Sequence, residues 1–93
     1  MNTITRNALV ARHPNLLSTD MDGETVMMSI EQGQYFGLNP VGSRTWELLG
    51  NPVRVDALCR QIETEYVVSS DECETAVLAF LSELSRHGLI TAA

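Results

Sequence analysis

Between residues 24 and 30 the side chains divide by parity: Val26, Met28 and Ile30 fall on one face of an extended strand, and Thr25, Met27 and Ser29 on the other. The apolar run at residues 16–19 leads into Asp20-Met21-Asp22-Gly23, and Asp-Gly between two β-like runs is a strong hairpin signal. Downstream, Glu31-Gln32-Gly33 makes a three-residue connection with a glycine where a left-handed conformation is needed. A third strand over residues 34–38 follows, carried by Tyr35, Phe36 and Leu38. These strands predict an antiparallel meander with the third strand at an edge. Residues 8–12 read equally as a short strand or an extended arm.

At Asn39-Pro40 the period changes. Asn is a favoured N-cap, and Pro at the first helical position gives up only an N–H that lacks a helical partner. The helix that follows places Val41, Thr45, Trp46, Leu48 and Leu49 on its inner side, with Gly50 at its C-terminal cap. After Asn51-Pro52, the spacing of Val55, Leu58, Cys59, Ile62 and Tyr66 predicts a second helix over residues 55–66. Val67-Val68 is an extended joint. Ser69 and Glu72 form a capping box, Asp71 and Glu72 suit the positive end of the dipole, and the third helix runs to His87 and stops at Gly88. Leu89-Ile90 then packs back. The fold class is α+β: a three-stranded antiparallel sheet followed by three helices, resembling a winged helix with its wing placed first.

A chain of 93 residues with 44% hydrophobic content supports one modest core. Its formal charge is −6, and its six cations are scattered arginines, which disfavours free nucleic acid as a partner. No apolar run approaches membrane-spanning length, and the first residues lack a signal peptide's apolar core, so the expected location is the cytoplasm.

Catalytic constellations do not emerge. His13 and His87 stand outside any nucleophile or metal motif, and His87 suits the negative end of a helix dipole. Cys59 and Cys73, fourteen positions apart, lack paired zinc-ligand spacing and read as small buried hydrophobes. The acidic stretch from Asp20 to Glu31 fails as a calcium loop because its sixth place is Thr25 rather than glycine. The glycines match neither phosphate-binding pattern. Neither a metal nor a cofactor is expected.

Binding has better support. The third strand carries no Pro or Lys to blunt pairing with an added strand. On the third helix, Cys73, Val77, Phe80 and Leu84 centre the core stripe, with Ala76 and Leu81 on its flanks. Leu78 falls roughly 100° from the middle of that stripe by the helical repeat. Leu78, Leu81 and Glu74, with Ser85, are therefore expected to line an apolar strip beside the third strand.

A hydrophobic strand, a short Gly turn, YFGLN, a small-residue helical turn and WELL together resemble the PqqD-like family, whose members are RiPP recognition elements. The Glu65-Tyr66-Val67-Val68 joint, Phe80-Leu81 and Leu84, and the terminal Gly88-Leu89-Ile90 agree, so the likeness covers about residues 16–90 of a single domain. The resemblance implies a non-catalytic module that binds the leader of a ribosomally made precursor peptide and presents it to a processing enzyme. The implied leader contacts are Gln34, Tyr35, Phe36, Gly37 and Leu38 on the strand, with Glu74, Val77, Leu78 and Leu81 on the helix. The text VMMSIEQGQYFGLNPVGSRTWELL is most similar to the stand-alone proteins of lasso-peptide clusters, which serve a separate cysteine-protease partner and a cyclase. Alternatives are the pyrroloquinoline quinone chaperone, serving a radical-SAM enzyme, and a winged-helix DNA-binding regulator.

Overall fold

The computed structural model describes residues 4–93 apart from 15, 23 and 31. The elements in chain order are β1 (Leu9–Arg12), β2 (Leu16–Met21), β3 (Glu24–Ser29), β4 (Gln34–Gly37), α1 (Pro40–Leu48), β5 (Val53–Arg54), α2 (Val55–Glu65), α3 (Ser70–Arg86) and β6 (Ile90–Ala92). The expected meander is present as an antiparallel sheet in the order β2-β3-β4, with β4 at an edge. The α+β class with three helices therefore holds.

A second sheet, β5-β1-β6, was not expected. It ties the two ends of the chain together. Within residues 8–12, Leu9–Arg12 form a strand because β1 finds partners on both sides: Val10 faces Ala92 across one ladder and Val53 across the other. Neither partner is close in sequence, so no local pattern could announce the pairing.

β2 extends to Met21, two residues further than the turn signal implied, because Asp20 and Met21 still pair with Thr25 and Glu24. Asp22 takes the left-handed turn conformation, φ 55°. Gly23 lies outside the described residues. In β3 the buried face is Thr25, Met27 and Ser29, while Val26 and Met28 are only half covered. The more polar face is inside because α1 offers a hydroxyl there. Ser43 Oγ accepts the Thr25 N–H at 2.7 Å and donates to the Leu38 carbonyl at 3.2 Å.

Asn39 caps α1 as expected, its side chain accepting the Gly42 N–H at 2.8 Å, with Pro40 in the first helical position. One expectation for this helix fails: Val41 is 46% exposed rather than inward. Gly50 directly follows the cap residue Leu49 and donates to the Glu47 carbonyl at 3.0 Å, without taking the left-handed conformation. Trp46 does anchor the core at 2% exposure. The Arg12 guanidinium lies 4.6 Å from the centroid of its ring system, and Nε donates to the Trp46 carbonyl at 3.2 Å.

Ser69 caps α3 by accepting the Glu72 N–H. The helix ends in a Schellman turn: Gly88, at φ 71°, donates to Ser85 and Leu89 donates to Leu84. The core gathers Trp46, Met27, Leu58, Leu81, Leu89 and Val10 between the two sheets and the three helices. No helix among the described residues is long and apolar enough to cross a membrane.

Candidate functional site

The open edge of β4 has a defined hydrogen-bond polarity. Leu38 donates its N–H inward to the Thr25 carbonyl at 2.8 Å, continuing the ladder with β3. Backbone groups alternate direction along an antiparallel strand, so Leu38, Phe36 and Gln34 face β3. Tyr35 and Gly37 therefore turn their N–H and C=O groups to the free edge. Side chains alternate independently: Phe36 points to the core side, opposite Met27, and Tyr35 to the outer face, opposite Met28, at 73% exposure.

Beside the end of this strand lies a solvent-open cavity of about 490 Å³. Gly37 and Leu38 form one wall, Val41, Gly42 and Thr45 of α1 its floor, and Cys73, Ala76, Val77 and Phe80 of α3 the opposite wall. Tyr66 and Val68, on the joint between α2 and α3, close one end. The lining is apolar apart from Asn39, Thr45, and the Tyr66 and Cys73 side chains. Gly42 suits a close approach: a Cβ there would stand a tight 3.2 Å from Asn39 Oδ1, the capping acceptor, and in ordinary contact, 3.5 Å, with Phe80 Cε1.

Three contacts hold the walls. Phe36 and His87 pack with ring centroids 5.0 Å apart, and Gln32 Nε2 donates to the His87 carbonyl at 2.9 Å, fixing the end of α3 to the β4 hairpin. Arg44 on α1 donates to both carboxylate oxygens of Glu65, at 2.7 and 2.9 Å, next to Tyr66. That contact, together with a hydrogen bond from Gln61, holds the Glu65 carboxyl down to about 2. Between α2 and α3, burial pushes the Cys59 thiol up to about 11 and raises Cys73 as well.

A cavity of this kind, apolar and bordered by unpaired strand groups, is suited to an extended peptide. Among the described residues no three His, Cys, Asp or Glu side chains come together as a metal-ion site. Glu31 lies outside the described residues.

The family model described as "Coenzyme PQQ synthesis protein D (PqqD)" matches residues 24–90, well over half of the chain. This chain belongs to the PqqD family. A structure described as "TbiB1 in Complex with the TbiA(beta) Leader Peptide" is 32% identical, with a TM-score of 0.82 over 86% of this chain and 93% of that one. A second, described as "Lasso peptide synthetase B1 complexed with the leader peptide", is 18% identical and shares the fold, with a TM-score of 0.72 over 88% and 96% of the two chains. A search of curated protein sequences finds no match.

Within this PqqD-family fold the structure sorts the expected contact residues into two groups. Gly37, Leu38 and Val77 line the groove, and Gln34, Tyr35 and Phe36 lie on its strand. Glu74, Leu78 and Leu81 do not line it. Leu81 is fully buried, filling the core. Glu74 and Leu78 stand on the opposite flank of α3, where Glu74 comes within 3.9 Å of Arg6. The flank facing β4 is that of Ala76, Phe80 and His87. The apolar pattern of α3 centres Phe80 on the core stripe and leaves Leu78 on the open side, because a run of apolar residues defines a stripe only to within about one residue's rotation. Val41, Tyr66 and Val68 were missed as lining. Val41 read as a core position, and the other two read only as a joint.

Proposed function

We propose that this chain captures the leader segment of a ribosomally synthesised precursor peptide by β-strand addition along β4 and presents it to a separate processing enzyme, a cysteine-protease-type leader peptidase. The observation that carries this reading is the free edge of β4, which presents the Tyr35 and Gly37 backbone groups and runs at Gly37 into the apolar groove of about 490 Å³. Main-chain pairing supplies affinity that tolerates sequence, and the groove selects side chains. The leader contacts are Gln34, Tyr35, Phe36, Gly37 and Leu38 along the edge, with Val41, Ala76, Val77 and Phe80 in the groove. The 32% identical structure, described with a leader peptide bound, supports leader capture itself.

Its role is binding without catalysis, in the cytoplasm. Two buried free thiols suit a reducing compartment. The lasso reading is carried by the likeness of VMMSIEQGQYFGLNPVGSRTWELL to the stand-alone proteins of lasso-peptide clusters, with the pyrroloquinoline quinone reading as its alternative. DNA binding is disfavoured because five of the six arginines are tied to carboxylates and Arg12 to the end of α1.

The test is titration of a labelled leader peptide into the wild-type chain and into Gly37→Pro, with circular dichroism as the folding control. Pro removes an N–H that faces the open edge and none that pairs with β3. A loss of roughly tenfold or more in a folded variant, about 1.4 kcal/mol, is expected. Unchanged affinity would rule out strand addition at this edge.

A further inference from the structure

Among the described residues, no element covers the face of the β2-β3-β4 sheet turned away from the helices. Seven large apolar side chains of the described residues are exposed, and four of them, Leu17, Met21, Ile30 and Tyr35, belong to this sheet and its hairpin. Leu17, Met28 and Tyr35 stand opposite one another across the three strands. With Val26 they border a shallow hollow of about 310 Å³. Single exposed apolar residues are ordinary, whereas a contiguous patch with a depression marks a docking surface.

The charge around it is one-sided. Residues 13–43 contain Asp20, Asp22, Glu24 and Glu31 and no Lys or Arg, and all six arginines lie outside that stretch. Glu24 is paired with Met21 at the end of the patch, and Asp22 forms the adjoining turn. A second copy of this chain would bring the same negative rim against itself, with −6 on each molecule. The complementary occupant has an apolar centre and a basic margin.

We propose that this outer face docks the processing enzyme, through an apolar projection seated between Leu17, Met28 and Tyr35 and a cationic margin facing Asp22 and Glu24. The identity of the occupant rests on the leader-presentation reading. A leader added beside β4 joins the same sheet, so its outward side chains continue this patch. The enzyme then meets carrier and leader as one surface. The groove fixes the leader's inward side chains, and the opposite face remains free for the enzyme.

The probe is a purified leader peptidase of the cysteine-protease type from the same organism, titrated without leader into the wild type, Leu17→Arg and Asp22→Asn/Glu24→Lys. Leader affinity is measured in parallel, and sedimentation reports the oligomeric state. Leu17 is 57% exposed and two strands from the leader edge, and Asn tolerates the turn conformation of Asp22, so both variants are expected to fold. The expected result is a loss of at least roughly tenfold in peptidase affinity for each variant, a weaker salt dependence for the charge variant, and leader affinity within about twofold of wild type. Peptidase affinity unchanged in both variants overturns the proposal. So does a concentration-dependent dimer abolished by Leu17→Arg, which would assign the face to a second copy. A wild-type chain that binds the peptidase through this face but no leader would instead overturn the leader-capture reading alone.

Discussion

Ser43 stands between Thr25 and the end of β4, accepting the Thr25 N–H at 2.7 Å while donating to the Leu38 carbonyl. One hydroxyl thus replaces a ladder bond where the strand leaves the sheet and becomes a helix. Ser43 is 4% exposed and Thr25 8%. Ser43→Ala leaves a buried donor and acceptor unpaired, a cost of about 1–3 kcal/mol. Urea unfolding measures it, with faster amide exchange expected at Thr25. A loss below about 0.5 kcal/mol would show that the junction is held otherwise.

The two flanks of α3 and its neighbours separate stability from binding. Val41→Asp places an acid in the first turn of α1, where the dipole favours it, at an exposed position of the groove. Folding is expected to be unchanged and leader affinity to fall roughly tenfold or more. Leu78→Asp does the reverse. Leu78 is half-buried against the core, so the charge destabilises by about 1–3 kcal/mol while the folded protein keeps its leader affinity. If the two variants exchange these behaviours, the groove lies on the other flank.

The Arg44–Glu65 pair makes stability depend on acid. Glu65 is held down to about 2 in the folded chain, chiefly by Arg44, against about 4.3 when unfolded. Its contribution is therefore fully present above about pH 5 and is lost as pH falls toward 2. Glu65→Gln should flatten the fall in stability between about pH 5 and about pH 2, measured by urea midpoints across that window. The Glu83 carboxyl, lowered by Arg86, leaves a residual slope. An unaltered acid limb in Glu65→Gln would remove this pair from the account.

Thiol chemistry reports the packing of α2 on α3. Cys73 Sγ lies 3.5 Å from the Cys59 carbonyl oxygen, and Cys59 is held up at about 11. A thiol so placed carries little thiolate near pH 8, so alkylation by iodoacetamide should run at least about tenfold slower than in the urea-unfolded chain. Equal rates would mean that the two helices open freely on that timescale.

Local signals determined much of this protein. The β-strand parity of residues 24–30, Asn39-Pro40 at the head of α1, Ser69 capping α3 and Gly88 ending it all stand where short-range chemistry puts them. Each depends on groups within about five residues, and sequence carries that information directly. The open β4 edge was legible for the same reason, since meander order follows from short connections. Tertiary structure alone decided the rest. β1 became a strand because partners far along the chain, β5 and β6, reached it. Thr25 and Ser29 turned inward, against the hydrophobic pattern: Ser43 accepts the Thr25 N–H, and the Ser29 hydroxyl accepts the Gln32 N–H at 3.3 Å. The groove fell beside Ala76 and Phe80 rather than Leu78 because apolar residues nearly encircle α3, and only the position of the sheet chooses which flank it covers.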